Sequence, residues 1–311
     1  MMSLSIQATW LRGDIRSKLS GISKAKFKFI ELTENDLIDA KEDGEDLKAL
    51  LFEYGLRLSI FEISSNLQGI NNNPDKETIK KIDLKFEAAK SLGSKLILLK
   101  STNLKKNYLD CSSIERALKY IALRASHFRV RVAYMNIPTD VSIGKLDPAI
   151  KIIESIGSPY LGLAINSLYA LSNGSRPSEL RDVPIHRIFH VQLCDGYVQQ
   201  PASEEQSSHS DMLPGQGNLN LAGFVKVIAA GGYKGSWSLA KIDSKKAKKS
   251  FIDNAYDAYR ALVNLLDEVE RSHPQIKFET PNMPARVYTS GVEFLEFSVD
   301  DESHYQITQI L

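Results

Sequence analysis

Short apolar runs alternate with longer amphipathic stretches almost from the first residue, and that alternation predicts repeated strand-helix units. Eight strands are expected, at residues 4–9, 27–32, 57–62, 95–99, 130–135, 160–166, 188–193 and 236–240. Between them, apolar residues at helical spacing predict helices over 46–54, 76–92, 113–127, 147–156 and 221–230, and a last long one from about 247 to 271. Gly55, Gly93, Gly157 and Gly231 stand where four of these helices end. An open doubly wound sheet needs a glycine-rich phosphate loop after an early strand, and the chain has none. The fold class expected is therefore α/β, an eight-stranded (β/α)8 TIM barrel over residues 1–271.

The pattern changes after Arg271. His273-Pro274, Pro281 and Pro284 mark an extended linker, and residues 292–299 then alternate as a half-buried strand with no partner strands in the rest of the chain, which ends at Leu311. Residues 272–311 are accordingly expected to be a linker and a lone strand. A formal net charge of +1 over 311 residues argues against a nucleic-acid surface, and the lysine run at 241–249 reads as a solvated helix start. Two cysteines, Cys111 and Cys194, are too few for a disulfide framework, and no signal peptide or membrane span is legible, so a cytoplasmic location is expected. Cys194 reads as a buried structural thiol, there being no base nearby to activate it.

The stretches 32–37 (LTENDL), 166–174 (NSLYALSNG), 189–193 (FHVQL), 214–219 (PGQGNL) and 232–235 (GYKG) together resemble the sugar phosphate isomerase/epimerase, or xylose isomerase-like, TIM barrels. Within that group the resemblance is to the bacterial 3-dehydroshikimate dehydratases, over essentially the whole chain. Some of those enzymes join the barrel to a module similar to 4-hydroxyphenylpyruvate dioxygenase, and residues 283–294 look like the opening of such a module. The resemblance implies conversion of 3-dehydroshikimate to protocatechuate at the C-terminal mouth of the barrel, with a divalent Mg, Mn or Co ion. A metal-bound carbonyl oxygen would stabilise the enolate formed before the neighbouring hydroxyl leaves.

The chain departs from the family pattern at the implied ligands. The fifth strand ends in Met135 where the family has glutamate. The sixth ends in Asn166, with Tyr169 three residues on, where the family has aspartate and histidine. The seventh keeps Gln192, and the eighth reaches Ala240 where Ser-Leu-Glu is usual. A thioether and neutral amides bind hard cations poorly. No cofactor is therefore expected, except weak divalent metal if the altered site still holds one. Asn166 and Gln192 either contact a weak ion or a ligand hydroxyl or hydrogen-bond to each other, and His190, two residues before Gln192 on the same strand face, reads as an inner-layer polar residue.

The remaining candidates for acid-base work are Glu34 and Glu62 at strand ends and His209, which matches a family histidine; Ser65, Asn66, Tyr169 and Asp211 fall at substrate-side positions. The leading expectation is a dehydratase-like barrel without metal-dependent dehydration, inactive or a non-catalytic binder of a small polyhydroxylated or shikimate-like ligand. A lyase or sugar isomerase with an altered or metal-independent site, and a structural or regulatory partner assembling through the C-terminal strand, are the alternatives. A homo-oligomer is expected by analogy with related barrels.

Overall fold

The computed structural model describes residues 3–11, 13–63, 70, 74–100, 111–135, 146–172, 176–197, 212–240, 250–281, 283–285 and 291. Eight parallel strands close into a barrel in sequence order: β1 (Leu4–Gln7), β2 (Phe29–Thr33), β3 (Arg57–Ile63), β4 (Leu96–Lys100), β5 (Arg131–Met135), β6 (Leu161–Asn166), β7 (Ile188–Leu193) and β8 (Trp237–Leu239). The ring closes where Ser5 of β1 pairs with Ser238 of β8. Helices α1 (Ile15–Lys24), α2 (Glu34–Glu42), α3 (Leu47–Glu53), α4 (Lys76–Ser91), α5 (Cys111–Phe128), α6 (Leu146–Ile156), α7 (Ser167–Leu171), α8 (Leu221–Ala230) and α9 (Phe251–Ser272) follow the strands. Among the described residues, no helix is long and apolar enough to cross a membrane.

Local chemistry sets the helix starts. Asp14, Asp46, Asp75, Asn220 and Ser250 each accept a backbone N–H from the first turn of the helix that follows. Thr33 and Asp36 form a reciprocal capping box that turns β2 directly into α2, so Glu34 begins that helix at the barrel mouth. Helices α3, α4 and α6 end at Gly55, Gly93 and Gly157, all with positive φ. After α8 it is Gly232, not Gly231, that takes the left-handed conformation.

The first and last strands are shorter than the apolar runs that predict them. Residues 8 and 9, expected in the first strand, belong instead to a 3-10 turn over Ala8–Trp10, and the eighth strand, expected at 236–240, is three residues long. The compact barrel unit also runs past residue 271, to Thr280; Pro281–Leu311 forms a separate unit. The residues after α9 stay with the barrel because Ile276 and Phe278 are buried and the Phe278 ring meets the edge of Trp237 at 5.7 Å. The expected strand at 292–299 and the lysine run at 241–249 lie outside the described residues.

Inside the barrel the lumen divides chemically. Ile60, Leu96, Leu98, Ala133, Met135 and Ala164, on β3 to β6, make an apolar cluster of their own. Across from it Ser5, Gln7, Glu31, His190, Gln192 and Ser238, on β1, β2, β7 and β8, are buried polar side chains. Groups removed from water in this way require partners, and their partners define the site.

Candidate functional site at the barrel mouth

The inward positions of β2 and β7 bring Glu31 and His190 together at the barrel axis, 159 residues apart in sequence. His190 Nε2 lies 2.6 Å from Glu31 Oε1, and both side chains are 1% exposed. Gln192 Nε2 donates to the other carboxylate oxygen at 2.6 Å. Burial pushes the Glu31 carboxyl up, but the charge of His190 beside it and the hydrogen bonds with His190 and Gln192 outweigh it and hold the group below the usual carboxylate range. His190 Nδ1 is buried without a partner among the described residues, so Glu31 is the ring's hydrogen-bonding anchor.

One step nearer the mouth, Asn166 Nδ2 donates to Gln192 Oε1 at 3.3 Å. The Asn166 carbonyl oxygen accepts from the backbone N–H groups of Leu168 and Tyr169, which makes Asn166 the N-cap of α7, and the Cys194 Sγ lies 3.4 Å from the same oxygen. Cys194 is buried, as expected for a structural thiol. Met135 is 1% exposed within the apolar cluster, and Tyr169 packs against that cluster. Ala240, 3% exposed, donates its backbone N–H to Leu193 O. The positions that the resemblance assigns to metal are thus a thioether in an apolar surround, two amides bonded to each other and a methyl group. Among the described residues, no group of three or more His, Cys, Asp or Glu side chains is arranged to hold a metal ion.

The other half of the mouth is charged. Glu62 Oε2 accepts from Gln7 Nε2 at 2.9 Å and from Lys100 Nζ at 2.8 Å. Glu34 is clasped by Lys85 Nζ at 2.6 and 2.7 Å, and Lys18 Nζ lies 3.6 Å from Asp36. Glu34 and Glu62, both singled out from sequence, line one cavity of about 490 Å³, together with Gln7, Thr9, Lys18 and Lys100. Ser65, Asn66, His209 and Asp211 lie outside the described residues. Glu31, Gln7 and Lys100 were not anticipated. Their signal is parity: Gln7 stands two residues after Ser5 on one face of the first strand, Glu31 is the charged residue inside the apolar run of the second, and Lys100 directly follows the run Leu96–Leu99.

Beyond the end of β7, the Asp195 carboxylate organises the loop back to α8. It accepts four backbone N–H groups, those of Gly196 (2.8 Å), Gly215 (2.9 Å), Gly217 (3.0 Å) and Leu219 (3.2 Å). The Asp195 and Met212 backbones also bridge to each other. A Cβ at Gly217 would collide with the Gly196 carbonyl and the Asp195 carboxylate, which is why glycine occupies this turn.

The comparisons with known proteins follow the same architecture. The xylose isomerase-like TIM barrel family matches residues 20–268. The 3-dehydroshikimate dehydratases of Pseudomonas aeruginosa and Pseudomonas putida are each 28% identical to this chain, over 308 and 309 residues, 96% of this chain and 48% of each relative. The chain therefore spans about half the length of these curated relatives. A solved xylose isomerase-like TIM barrel/4-hydroxyphenylpyruvate dioxygenase fusion protein superposes with a TM-score of 0.83 at 26% identity, covering 99% of this chain and 50% of that one. The zinc-bound IOLI protein, at 16% identity and a TM-score of 0.73 over 87% of this chain and 99% of its own, shares the fold. Closed barrel, strand-end site and family match agree: the chain belongs to the xylose isomerase-like TIM barrel family.

Proposed function

We infer that this barrel is a 3-dehydroshikimate dehydratase-like member that has lost metal-dependent dehydration and works as a non-catalytic binder of a small molecule. The observation that carries the reading is the hydrogen bond from Asn166 Nδ2 to Gln192 Oε1. An aspartate at 166 would face the Gln192 oxygen with another acceptor, and two acceptors need a cation between them. Asparagine supplies the missing positive character itself, as a donor, so the two side chains satisfy each other without an ion.

The residues at the other two positions do not fit a divalent ion. Met135 offers a soft thioether from an apolar cluster, and Ala240 offers no donor atom. A hard dication that enters must give up hydration, and neutral amides whose oxygens already accept hydrogen bonds return little of it. The Glu31 carboxylate does not replace the lost charges, because His190 and Gln192 already engage both of its oxygens.

The test is a dehydratase assay on the full chain with 3-dehydroshikimate and added Mg²⁺, Mn²⁺ or Co²⁺, followed by the absorbance of protocatechuate. No product above the uncatalysed background is expected with any of the three ions. Metal-dependent turnover would overturn the reading.

A further inference from the structure

We propose that the face of the barrel opposite the mouth carries an anion site of its own, an arc of six basic side chains at the starts of β2 to β5, and that it takes a chain of linked phosphates. The six are Lys26, Lys28, Arg57, Lys95, Arg129 and Arg131, all exposed. Backbone hydrogen bonds fix them across neighbouring strands, from Arg57 N–H to Lys28 O at 2.9 Å and from Arg131 N–H to Lys95 O at 3.0 Å. Adjacent strands lie about 4.8 Å apart, which spreads the arc over about 14 Å of rim.

These charges are unspent. The carboxylates nearest in the chain to Lys28 and Arg57 are already engaged, Glu31 by His190 and Glu53 by Arg16. Among the described residues, Glu42, Asp43 and Glu154, at the ends of α2 and α6, form no ion pair with the arc either. Nor do the helix ends behind the arc call for its charges, since Lys24, Lys90 and His127 already stand in the last turns of α1, α4 and α5.

Two features hold the arc in place. The turns into the four strands are alike, the N–H groups of Phe27, Leu56, Ser94 and Val130 each reaching back to the carbonyl five residues earlier. The residue before each of them has positive φ. At β3 and β4 it is Gly55 and Gly93, but at β2 and β5 it is Lys26, with φ 74°, and Arg129, with φ 57°, where a side chain strains the backbone. Strain kept at both turns for a basic side chain, with glycine in the turns between, points to a use for the charge. The second feature fixes Arg131, whose guanidinium carbon lies 4.7 Å from the centre of the Phe189 ring. That ring has room because residue 162 is glycine; a Cβ there would lie 2.7 Å from it. A guanidinium steadied on one face keeps its edge N–H groups for an oxyanion, and the lysines add point charges beside it. Positive charge spread along an open rim favours a linear multivalent anion over a single phosphate.

Isothermal titration of the full chain in EDTA with tripolyphosphate, ATP and orthophosphate tests this. Tripolyphosphate and ATP are expected to bind, and raising salt from ~50 to ~200 mM should weaken both by about tenfold or more. Orthophosphate should bind at least about tenfold more weakly than either. Equal affinities make free polyphosphate the source of the chain and tighter ATP makes it a nucleotide; either result supports the site. The deciding variant is Lys26→Gly/Arg129→Gly, because glycine relieves both strained turns. Its melting temperature should match or exceed that of wild type while tripolyphosphate binding weakens by about threefold or more. Arg131→Met should weaken binding by about tenfold. The proposal is overturned if neither oligophosphate binds, if orthophosphate binds as tightly, if the glycine variant binds as wild type does, or if a single-stranded oligonucleotide binds more tightly than tripolyphosphate at the same salt.

Discussion

Replacing His190 with leucine isolates the energetics of the lumen. The substitution removes the 2.6 Å contact to Glu31 and leaves a fully buried carboxylate that keeps Gln192 as its remaining short side-chain partner. Removing one partner of a buried, hydrogen-bonded pair costs about 3–5 kcal/mol, because the surviving charge has lost water and gained nothing in return. The double variant Glu31→Leu/His190→Leu removes the stranded charge as well. Its loss should fall short of the sum of the two single losses by about 2–3 kcal/mol in urea unfolding at neutral pH. A pH series separates charge from packing. The folded carboxyl is held below its ordinary value of 4.5, so the stabilisation is fully present above that value and drains away as pH falls through the folded value, where the unfolded chain binds the proton more readily. Glu31→Gln should flatten this acid limb. Single-variant losses that add to within about 0.5 kcal/mol, or an acid limb unchanged in Glu31→Gln, would refute the coupling.

Two further substitutions probe the scaffold around the site. Gly217→Ala should lower stability by about 1–3 kcal/mol, measured by urea unfolding, because the new methyl meets backbone and the Asp195 carboxylate rather than a yielding side chain. Asn166→Asp removes the donor to Gln192 and places two acceptors together, so its melting temperature should fall in EDTA and recover, if at all, only with added divalent ion; a variant as stable as wild type in EDTA would contradict the role given to that hydrogen bond.

The fold was legible because each strand of a barrel is buried on both faces and reads as an apolar run, while each helix shows one apolar stripe. Where boundaries moved, local competition explains it. Ala8 and Thr9 leave the strand for a 3-10 turn, and Ile276 and Phe278 find burial against the barrel, extending it past Pro274 to Thr280, short of Pro281 and Pro284. The site was legible in part. Asn166, Gln192 and the contrast with Met135 and Ala240 follow from the resemblance, and the sequence leaves open whether the two amides meet an ion or each other, which the Asn166–Gln192 hydrogen bond answers. Glu31 escaped because attention to strand ends passes over residues deeper in the lumen, and its partner His190 lies five strands away in sequence order. The Glu62–Lys100 pair joins two adjacent strands across 38 residues of chain, a proximity that only the register of β3 on β4 supplies.

The most direct measurement of the central claim is titration of the metal-stripped full chain with Mn²⁺, read by calorimetry and by the melting temperature, beside the variant Met135→Glu/Asn166→Asp/Ala240→Glu. The native chain should bind no stoichiometric ion and melt at the same temperature with or without it, while the variant, given three carboxylates around Gln192, should bind about one equivalent and gain stability on loading. One equivalent of Mn²⁺ on the native chain, with a melting temperature that rises with the ion, would contradict the account.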